Sequence, residues 1–253
     1  MIKTLIAANW KMNTNFHEAQ QLTSELLSSM RHVPHVETVI CPPFVYLQEV
    51  SNLLKDKPIK VGAQNVYFEE KGAYTGEIAP GMLSDFCEYV IVGHSERRQF
   101  FGDTNEIVNK KLRSAIAHDL TPILCVGENL EQRENGDAEY VVGGQLEESL
   151  SGIDKTENLV VAYEPVWAIG TGKAATSDIA EDIMRFIRSK LAVIYDNPFA
   201  DNITLLYGGS VTADNVKDYL SHANINGALV GGASLDAQKF QDIIDRAGEV
   251  APL

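Results

Sequence analysis

The sequence contains little cysteine and no pattern that would pair it. Cys41, Cys87 and Cys125 are an odd number at wide separations, without a Cys-x-x-Cys pair. A disulfide framework or a thiolate metal site needs closer or even-numbered cysteines. The six histidines also lack a tight ligand pair such as His-Glu-x-x-His. We therefore expect a reduced, cytoplasmic protein without a metal site.

Long hydrophobic runs and positive charge are also scarce. No stretch of about 18 apolar residues could span a bilayer, and the apolar run 5–8 is too short for a signal peptide. Lysine and arginine number 21 against 35 aspartates and glutamates, which gives a net charge of −14. This charge repels polyanions, so we expect neither nucleic acid nor a membrane as a partner. An anionic substrate would have to be attracted locally.

The sequence does contain eight short apolar runs rich in β-branched residues. They are nearly continuous rather than alternating, which is typical of strands buried on both faces of a parallel sheet. The predicted strands are Leu5–Asn9, Thr38–Cys41, Ile59–Ala63, Tyr89–Gly93, Pro122–Val126, Leu159–Tyr163, Thr204–Gly208 and Ala228–Gly231.

Helical patterns lie between these runs. The clearest has apolar residues at spacings of three and four from position 179 to 194. Capping boxes are predicted at 103–106 and 178–181. Weaker patterns predict helices over Phe16–Met30, Phe44–Leu54, Pro80–Cys87, Glu131–Leu150, Thr212–Leu220 and Asp236–Ala247.

The alternation of strands and helices predicts an α/β fold, a (β/α)8 barrel of eight parallel strands surrounded by helices. An open doubly wound sheet is the competing fold, but it usually carries a glycine-rich first turn. Here the first turn reads Asn9-Trp10-Lys11-Met12-Asn13. Without a linker or a low-complexity tract, residues 1–253 are expected to form a single domain.

Glu164 follows the sixth predicted strand directly. Pro165 restricts Glu164 to extended geometry, while Gly170 and Gly172 permit backbone angles that other residues avoid. The segment 165–173 therefore has a rigid entry and a flexible exit, as expected of a loop that closes over a site. A carboxylate beside such a loop indicates proton abstraction in a site that excludes water.

Polar residues also follow the first and fourth predicted strands. Asn9 and Lys11 are two residues apart, which places both side chains on one side of an extended chain, opposite Trp10. His94 precedes a possible helical turn at Ser95, whose dipole would keep the imidazole neutral and able to donate a hydrogen bond. The nearby Glu96 and Arg98 are expected to brace the site as an ion pair.

Paired glycines follow the last two strands. The sequences are Tyr207-Gly208-Gly209-Ser210 and Gly231-Gly232-Ala233-Ser234. Paired glycines before a helix let main-chain N–H groups approach an anion. In a (β/α)8 barrel, the loops after strands seven and eight often form a phosphate site. The two turns therefore predict a phosphate-binding site.

Five segments together closely resemble the triosephosphate isomerase family, in that family's order and at about its spacing. The resemblance spans the whole chain, and the segment around Glu164 is highly specific. The segments are Asn9–Asn13, Gly93–Arg98, Ala162–Gly172, Tyr207–Ser210 and Val230–Ser234.

The resemblance implies a TIM barrel that interconverts dihydroxyacetone phosphate and glyceraldehyde 3-phosphate, in glycolysis and gluconeogenesis, without a cofactor or metal. It implies that Glu164 is the base and His94 the neutral electrophile. Asn9 and Lys11 would hold substrate and enediolate. Ser95 and Glu96 would support these groups. The implied phosphate contacts are Gly170, Ser210, Gly231 and Gly232.

The resemblance also implies a homodimer, in which the loop from Gln64 to Glu77 enters the neighbouring chain and Thr75 lies at its tip. Two alternatives remain open from the residues alone. Lys11 could be the nucleophile of a Schiff-base aldolase. The barrel could also bind phosphate compounds without catalysis.

Overall fold

A computed structural model shows eight parallel strands that close into a barrel, in which each strand pairs with the next and β8 pairs with β1. It describes residues 3–31, 33, 35–168 and 175–250. The strands are β1 Thr4–Asn9, β2 Val36–Cys41, β3 Lys60–Ala63, β4 Tyr89–Val92, β5 Thr121–Val126, β6 Val160–Tyr163, β7 Thr204–Tyr207 and β8 Gly227–Val230. The predicted barrel is confirmed, and every strand ends within two residues of its predicted bounds.

Helices surround the barrel. They are α1 Phe16–Ser29, α2 Leu47–Leu54, α3 Pro80–Leu83, α4 Ser95–Phe101, α5 Asn105–Ala117, α6 Leu130–Glu134, α7 Ala138–Ser149, α8 Ser177–Ile194, α9 Asn197–Asn202, α10 Val216–Leu220 and α11 Ala237–Gly248. The helix predicted over 131–150 is two helices, because the chain turns between them at Gly136, where φ is 80°. α9 was not predicted. None of the described helices is long and apolar enough to cross a membrane.

The two capping boxes predicted at 103–106 and 178–181 are wrong. The hydroxyls of Thr104 and Thr176 cap α5 and α8 instead, each accepting a hydrogen bond from the main-chain N–H three residues later. The carboxylate of Asp103 is unavailable as a cap because it is buried in ion pairs. A threonine beside an aspartate offers two similar caps, and tertiary contacts decide between them.

The core has two layers, separated by the strands. Alternate residues of β1 illustrate this, since Leu5 and Ala7 belong to the cluster inside the barrel while Ile6 and Ala8 pack toward the helices. All three cysteines are buried and free. That residues 1–253 form a single domain remains a prediction, although strands from residue 4 to residue 230 share this one barrel.

We predict that Gly127→Ala destabilises the barrel at the end of β5. A Cβ atom there would lie 1.8 Å from the carbonyl oxygen of Glu164, so the main chain has to move. The expected loss is roughly 1–3 kcal/mol of unfolding free energy, measured by urea denaturation. Gly144→Ala is the control, because a Cβ in that part of α7 meets nothing within 4 Å. Equal stability of the two variants would contradict this packing argument.

Candidate active site

The carboxyl ends of the strands surround a cavity of about 310 Å³. Its lining includes Asn9, Lys11, His94 and Glu164 together with the glycine turns after β7 and β8. The structure therefore brings the predicted catalytic and phosphate-binding residues together, with one exception. Gly170, like the rest of the predicted loop from 169 to 173, lies outside the described residues.

Glu164 is held at the end of β6 by its main chain and by both carboxylate oxygens. Its N–H donates to the carbonyl of Val126 at 2.8 Å. Oε1 lies 2.9 Å from Nε2 of His94, and Oε2 accepts a hydrogen bond of 2.8 Å from the N–H of Ser95. Burial alone would raise the pKa of Glu164, but His94, Ser95 and Lys11 outweigh it and lower this pKa below its usual range. The carboxylate is therefore ionised near neutral pH.

His94 is the N-cap residue of α4, which begins at Ser95 as predicted. Its Nδ1 accepts a hydrogen bond of 3.2 Å from the N–H of Glu96. The ring proton of the neutral form therefore sits on Nε2, which faces Glu164. Burial disfavours the charged ring, but the neighbouring carboxylate raises the pKa of His94 above its usual value while the two groups are paired. Protonation of Nδ1 would break the bond from Glu96.

The spacing of Asn9 and Lys11 predicts an extended loop after β1, and this prediction is wrong. Lys11 has a φ of 53°, a conformation that costs free energy for a residue with a side chain. Its N–H donates to Oδ1 of Asn9 at 3.0 Å, and its carbonyl accepts a bond of 2.9 Å from Gln64. Both side chains still line the cavity, while Trp10 is fully buried.

The ion pair predicted between Glu96 and Arg98 is wrong. Oε1 of Glu96 lies 2.6 Å from the ammonium of Lys11. Arg98 turns the other way, toward main-chain carbonyls at the ends of β4 and β5. The error arises because residues two apart on a helix do not face each other. Glu96 therefore orients the cation of the cavity.

The first glycine turn is shaped by its neighbours. A Cβ on Gly208 would lie 2.9 Å from Cγ of Glu164, and a Cβ on Gly209 would lie 2.2 Å from the hydroxyl oxygen of Tyr207. The N–H of Gly208 donates to the carbonyl of Tyr163 at 2.7 Å. Both glycines thus make room for closely packed groups. No helix follows this turn at once, contrary to the prediction, since α10 begins only at Val216.

The second glycine turn faces the cation. A Cβ on Gly231 would lie 3.5 Å from Cε of Lys11, whereas a Cβ on Gly232 would meet nothing within 4 Å. A 3₁₀ helix, Gly232–Leu235, begins at the second glycine, and the hydroxyl of Ser234 donates to the carbonyl of Gly231 at 2.7 Å. Here the predicted arrangement of a glycine pair before a helical turn is found. Gly231 therefore lies against the side chain of Lys11.

Sequence reasoning missed Glu128, which follows β5 and has a fully buried carboxylate. Its Oε1 accepts hydrogen bonds from Nε1 of Trp167 at 2.8 Å, from the hydroxyl of Tyr163 at 3.0 Å and from Arg133 at 3.1 Å. Its carbonyl accepts the N–H of Val166 at 3.1 Å. Glu128 therefore fixes the chain immediately after Glu164. Its position after a strand was the signal available in the sequence.

The sequence model of the family described as triosephosphate isomerase matches residues 4–247. The chain belongs to the triosephosphate isomerase family. Triosephosphate isomerases from Dictyoglomus turgidum and Clostridium tetani are each 48% identical to it, over 247 and 246 residues. These alignments cover 96% of this chain and 99% and 96% of the relatives. The enzyme from Dehalococcoides mccartyi is 46% identical over 250 residues, which cover 99% of this chain and 98% of the relative.

Triosephosphate isomerases interconvert dihydroxyacetone phosphate and D-glyceraldehyde 3-phosphate, a step of glycolysis and gluconeogenesis. Membership in the family makes the chain an enzyme of this class, an intramolecular aldose–ketose isomerase that acts on triose phosphates. The predicted family and reaction are thereby confirmed.

We predict that Ser95→Pro raises the pKa of Glu164. Proline fits the first position of α4, and His94, with φ −49° and ψ 141°, has the conformation that a residue before proline requires. The substitution removes the main-chain N–H that donates a hydrogen bond to Oε2 of Glu164. The ionised carboxylate of Glu164 therefore loses a donor. ¹³C NMR of glutamate-labelled protein, assigned with Glu164→Gln, measures this pKa.

Ser95→Ala is the matched control, because it keeps the N–H and is expected to leave the pKa of Glu164 where it was. If the proline and alanine variants titrate alike, the main-chain donor contributes nothing to the carboxylate.

Proposed function

We propose that this chain carries out its isomerisation through an enediolate, with Glu164 as the base and His94 as the electrophile. The observation that supports this assignment best is the contact of 2.9 Å between the carboxylate of Glu164 and Nε2 of His94. The contact lies in a cavity that also presents Lys11 and two glycine turns. These are the roles that the family resemblance implies.

In the proposed first step, Glu164 removes a proton from the carbon next to the substrate carbonyl. The C–H electron pair forms a carbon–carbon double bond, and the carbonyl π electrons move onto oxygen. The Nε2–H of His94, which Glu164 engages before substrate arrives, then donates to this oxygen. When the Nε2–H of His94 turns from Glu164 to the substrate oxygen, Oε1 of Glu164 becomes free to act as the base. The hydroxyl proton on the deprotonated carbon's oxygen then passes to the former carbonyl oxygen, and its O–H electrons form the new carbonyl. The double-bond electrons take the proton back from Glu164 at the former carbonyl carbon, which completes the isomerisation.

Lys11 supplies the positive charge that the enediolate needs. Its ammonium group is oriented by Glu96, whose Oε1 lies 2.6 Å from Nζ of Lys11. Asn9 adds an amide group to the lining of the cavity. This chemistry requires no metal or cofactor, because the developing charge meets a fixed cation and a fixed donor. An amine tied to a carboxylate is a poor nucleophile, which disfavours the Schiff-base aldolase alternative.

The glycine turns are proposed to bind the substrate phosphate through main-chain N–H groups, with Ser210, Gly231 and Gly232 as the contacts. Both turns line the cavity on the side of β7 and β8. Phosphate takes no part in the proton transfers, so its binding energy can orient the triose against Glu164. Gly170, the fourth proposed contact, lies outside the described residues.

We predict that Glu164→Asp lowers kcat by about 100-fold, because the shorter side chain retracts the base by roughly 1 Å. Purified protein treated with a chelator, in a coupled assay for glyceraldehyde 3-phosphate, measures this. Glu134→Asp is the control, since Glu134 is exposed at the end of α6. Near-normal turnover of Glu164→Asp would remove the residue from its role, and inactive wild-type protein would reject the proposed function.

The proposed assembly is a homodimer formed through the loops that follow β1, β2 and β3. Large apolar side chains are exposed on these loops and on α3, with exposed fractions of 96% for Met12, 75% for Val45, 52% for Met82 and 48% for Phe44. Several large exposed apolar side chains on loops at the ends of neighbouring strands favour an interaction surface there. A second copy of the chain is the partner that the family resemblance implies.

The loop from Gln64 to Glu77 is held in shape by contacts of its own. The N–H of Tyr67 donates to the carbonyl of Ile78 at 2.8 Å, and the rings of Tyr67 and Tyr74 pack at 4.9 Å. The N–H of Glu77 donates a hydrogen bond of 3.0 Å to the carbonyl of Tyr74 and closes a turn that contains the exposed Thr75. Thr75 is therefore proposed as the tip that reaches the partner chain. The buried, free cysteines fit the cytoplasm as the proposed location.

We predict that Val45→Asp dissociates the dimer and that the separated chains lose most of their specific activity, because a charge would be buried at the interface. Analytical ultracentrifugation and activity measured at matched dilutions test this. Val193→Asp is the control, since Val193 is 78% exposed on α8, away from these loops. Full specific activity from a proven single-chain species would contradict the proposal that each site needs the loop of the partner chain.

A further inference from the structure

Arg98 is a partly buried cation without a carboxylate partner. Burial lowers the pKa of its guanidinium, and among the residues that the structure describes no carboxylate forms an ion pair with it. Charged groups are seldom removed from water without a partner, because the loss of hydration is costly. Other polar groups of the protein therefore have to take the place of water around the guanidinium of Arg98.

The guanidinium joins two strand ends. Its Nε donates to the carbonyl of Gly93 at 2.8 Å, and Nη2 donates to the carbonyl of Cys125 at 3.2 Å. Nη1 donates to Oδ1 of Asn105 at 2.6 Å. One planar group thus spans the ends of β4 and β5 and the start of α5. Only arginine offers several donors in this fixed arrangement.

One of these carbonyls lies one residue before His94, and the other lies one residue before the main-chain partner of Glu164. Gly93 precedes His94 and has a φ of 72°, and a Cβ at Gly93 would lie 3.0 Å from Nη2 of Arg98. Cys125 precedes Val126, whose carbonyl accepts the N–H of Glu164 at 2.8 Å. The guanidinium therefore fixes the main chain on both sides of the contact between His94 and Glu164.

We propose that Arg98 is a positioning residue for the isomerisation, which aligns His94 with Glu164 and places a positive charge behind the carboxylate. This inference rests on the proposed roles of those two residues. Arg98 touches neither the cavity nor the expected position of the substrate, so it acts only through the groups it holds.

The charge of Arg98 adds to that of the other groups around Glu164. His94 and Lys11 favour the ionised carboxylate, as does the main-chain N–H of Ser95. Arg98 and Glu164 attract each other as well. The thiol of Cys125 is neutral, because burial raises its pKa well above the usual value. Removal of the guanidinium charge should therefore raise the pKa of Glu164.

Two substitutions separate alignment from charge. Arg98→Lys keeps a positive charge but loses the planar set of donors, whereas Arg98→Gln loses both. Arg185→Gln is the control, because its side chain is 66% exposed on α8 and pairs only with Asp182 among the described residues. Steady-state kinetics give kcat and KM, and ¹³C NMR of glutamate-labelled protein gives the pKa of Glu164.

We expect Arg98→Lys to lower kcat by about tenfold or more, since small displacements of reacting groups are costly. KM should stay within about twofold, because the phosphate turns lie across the barrel on β7 and β8. The pKa of Glu164 should stay near its wild-type value in Arg98→Lys and rise in Arg98→Gln. Arg185→Gln should change none of these quantities.

An Arg98→Lys variant with wild-type kcat would overturn the proposal, even if it were less stable to heat, because Arg98 would then have a purely structural role. A change confined to KM would also overturn it. A Glu164 that titrates in folded Arg98→Gln as in the wild type would refute the part played by charge.

Should Arg98→Gln fail to fold, kcat and KM of Arg98→Lys decide the matter. The NMR titration needs no substrate, so it tests the link between Arg98 and Glu164 even if the wild type does not isomerise triose phosphates. Failure of the proposed function would instead appear as an inactive wild-type enzyme.

Discussion

The rest of the site depends on how one buried carboxylate is held. Glu164 is only 1% exposed, so each of its oxygens needs a donor from the protein. Oε2 accepts the N–H of Ser95, and Oε1 lies 2.9 Å from Nε2 of His94; both groups come from a single turn at the start of α4. The proposed base and the proposed electrophile are therefore placed by the same few residues. Any shift of β4 against β6 would disturb both.

Glycines make this arrangement sterically possible. Gly127 lets β5 approach the main chain of Glu164, and Gly208 leaves room for its side chain. A Cβ at either position would lie closer than normal contact distance. The main chain of Glu164 is thus bounded by Gly127, and its side chain by Gly208 and by groups at the start of α4. Its freedom is limited to the direction of the cavity, where a substrate would bind.

Charge in this molecule is organised locally. The chain as a whole carries −14, yet the cavity presents the side chain of Lys11, and the guanidinium of Arg98 donates to the carbonyls of Gly93 and Cys125. Glu96 orients the first cation, while main-chain carbonyls hold the second. A net negative surface gives no long-range attraction for a phosphate ester. Short-range donors therefore have to provide its affinity.

The sequence predicted what depends on local pattern. Apolar runs of the right length located all eight strands, and the residues that follow them converge at one end of the barrel, as this topology requires. Contacts that depend on the direction of side chains in the folded protein were less predictable. The pairing of Glu96 with Lys11 joins residues 85 apart, and the positive φ of Lys11 follows from bonds to Asn9 and Gln64.

Glu128 illustrates the same limit. Its buried carboxylate looks like an ordinary loop acid in the sequence, and only the folded chain brings Tyr163, Trp167 and Arg133 to it. A helix cap likewise depends on contacts from elsewhere, as the burial of Asp103 demonstrates. Prediction from sequence therefore named side chains that the fold gathers around one cavity, but not the residues that hold them.

The bond between Trp167 and Glu128 has a practical consequence. The chain has only two tryptophans, and Trp10 is completely enclosed whereas the indole of Trp167 is partly exposed, three residues after Glu164. A change in intrinsic fluorescence when a ligand enters the cavity would therefore originate mainly from Trp167. The protein carries its own optical probe at the edge of the site, and rapid-mixing experiments can follow binding without an attached dye.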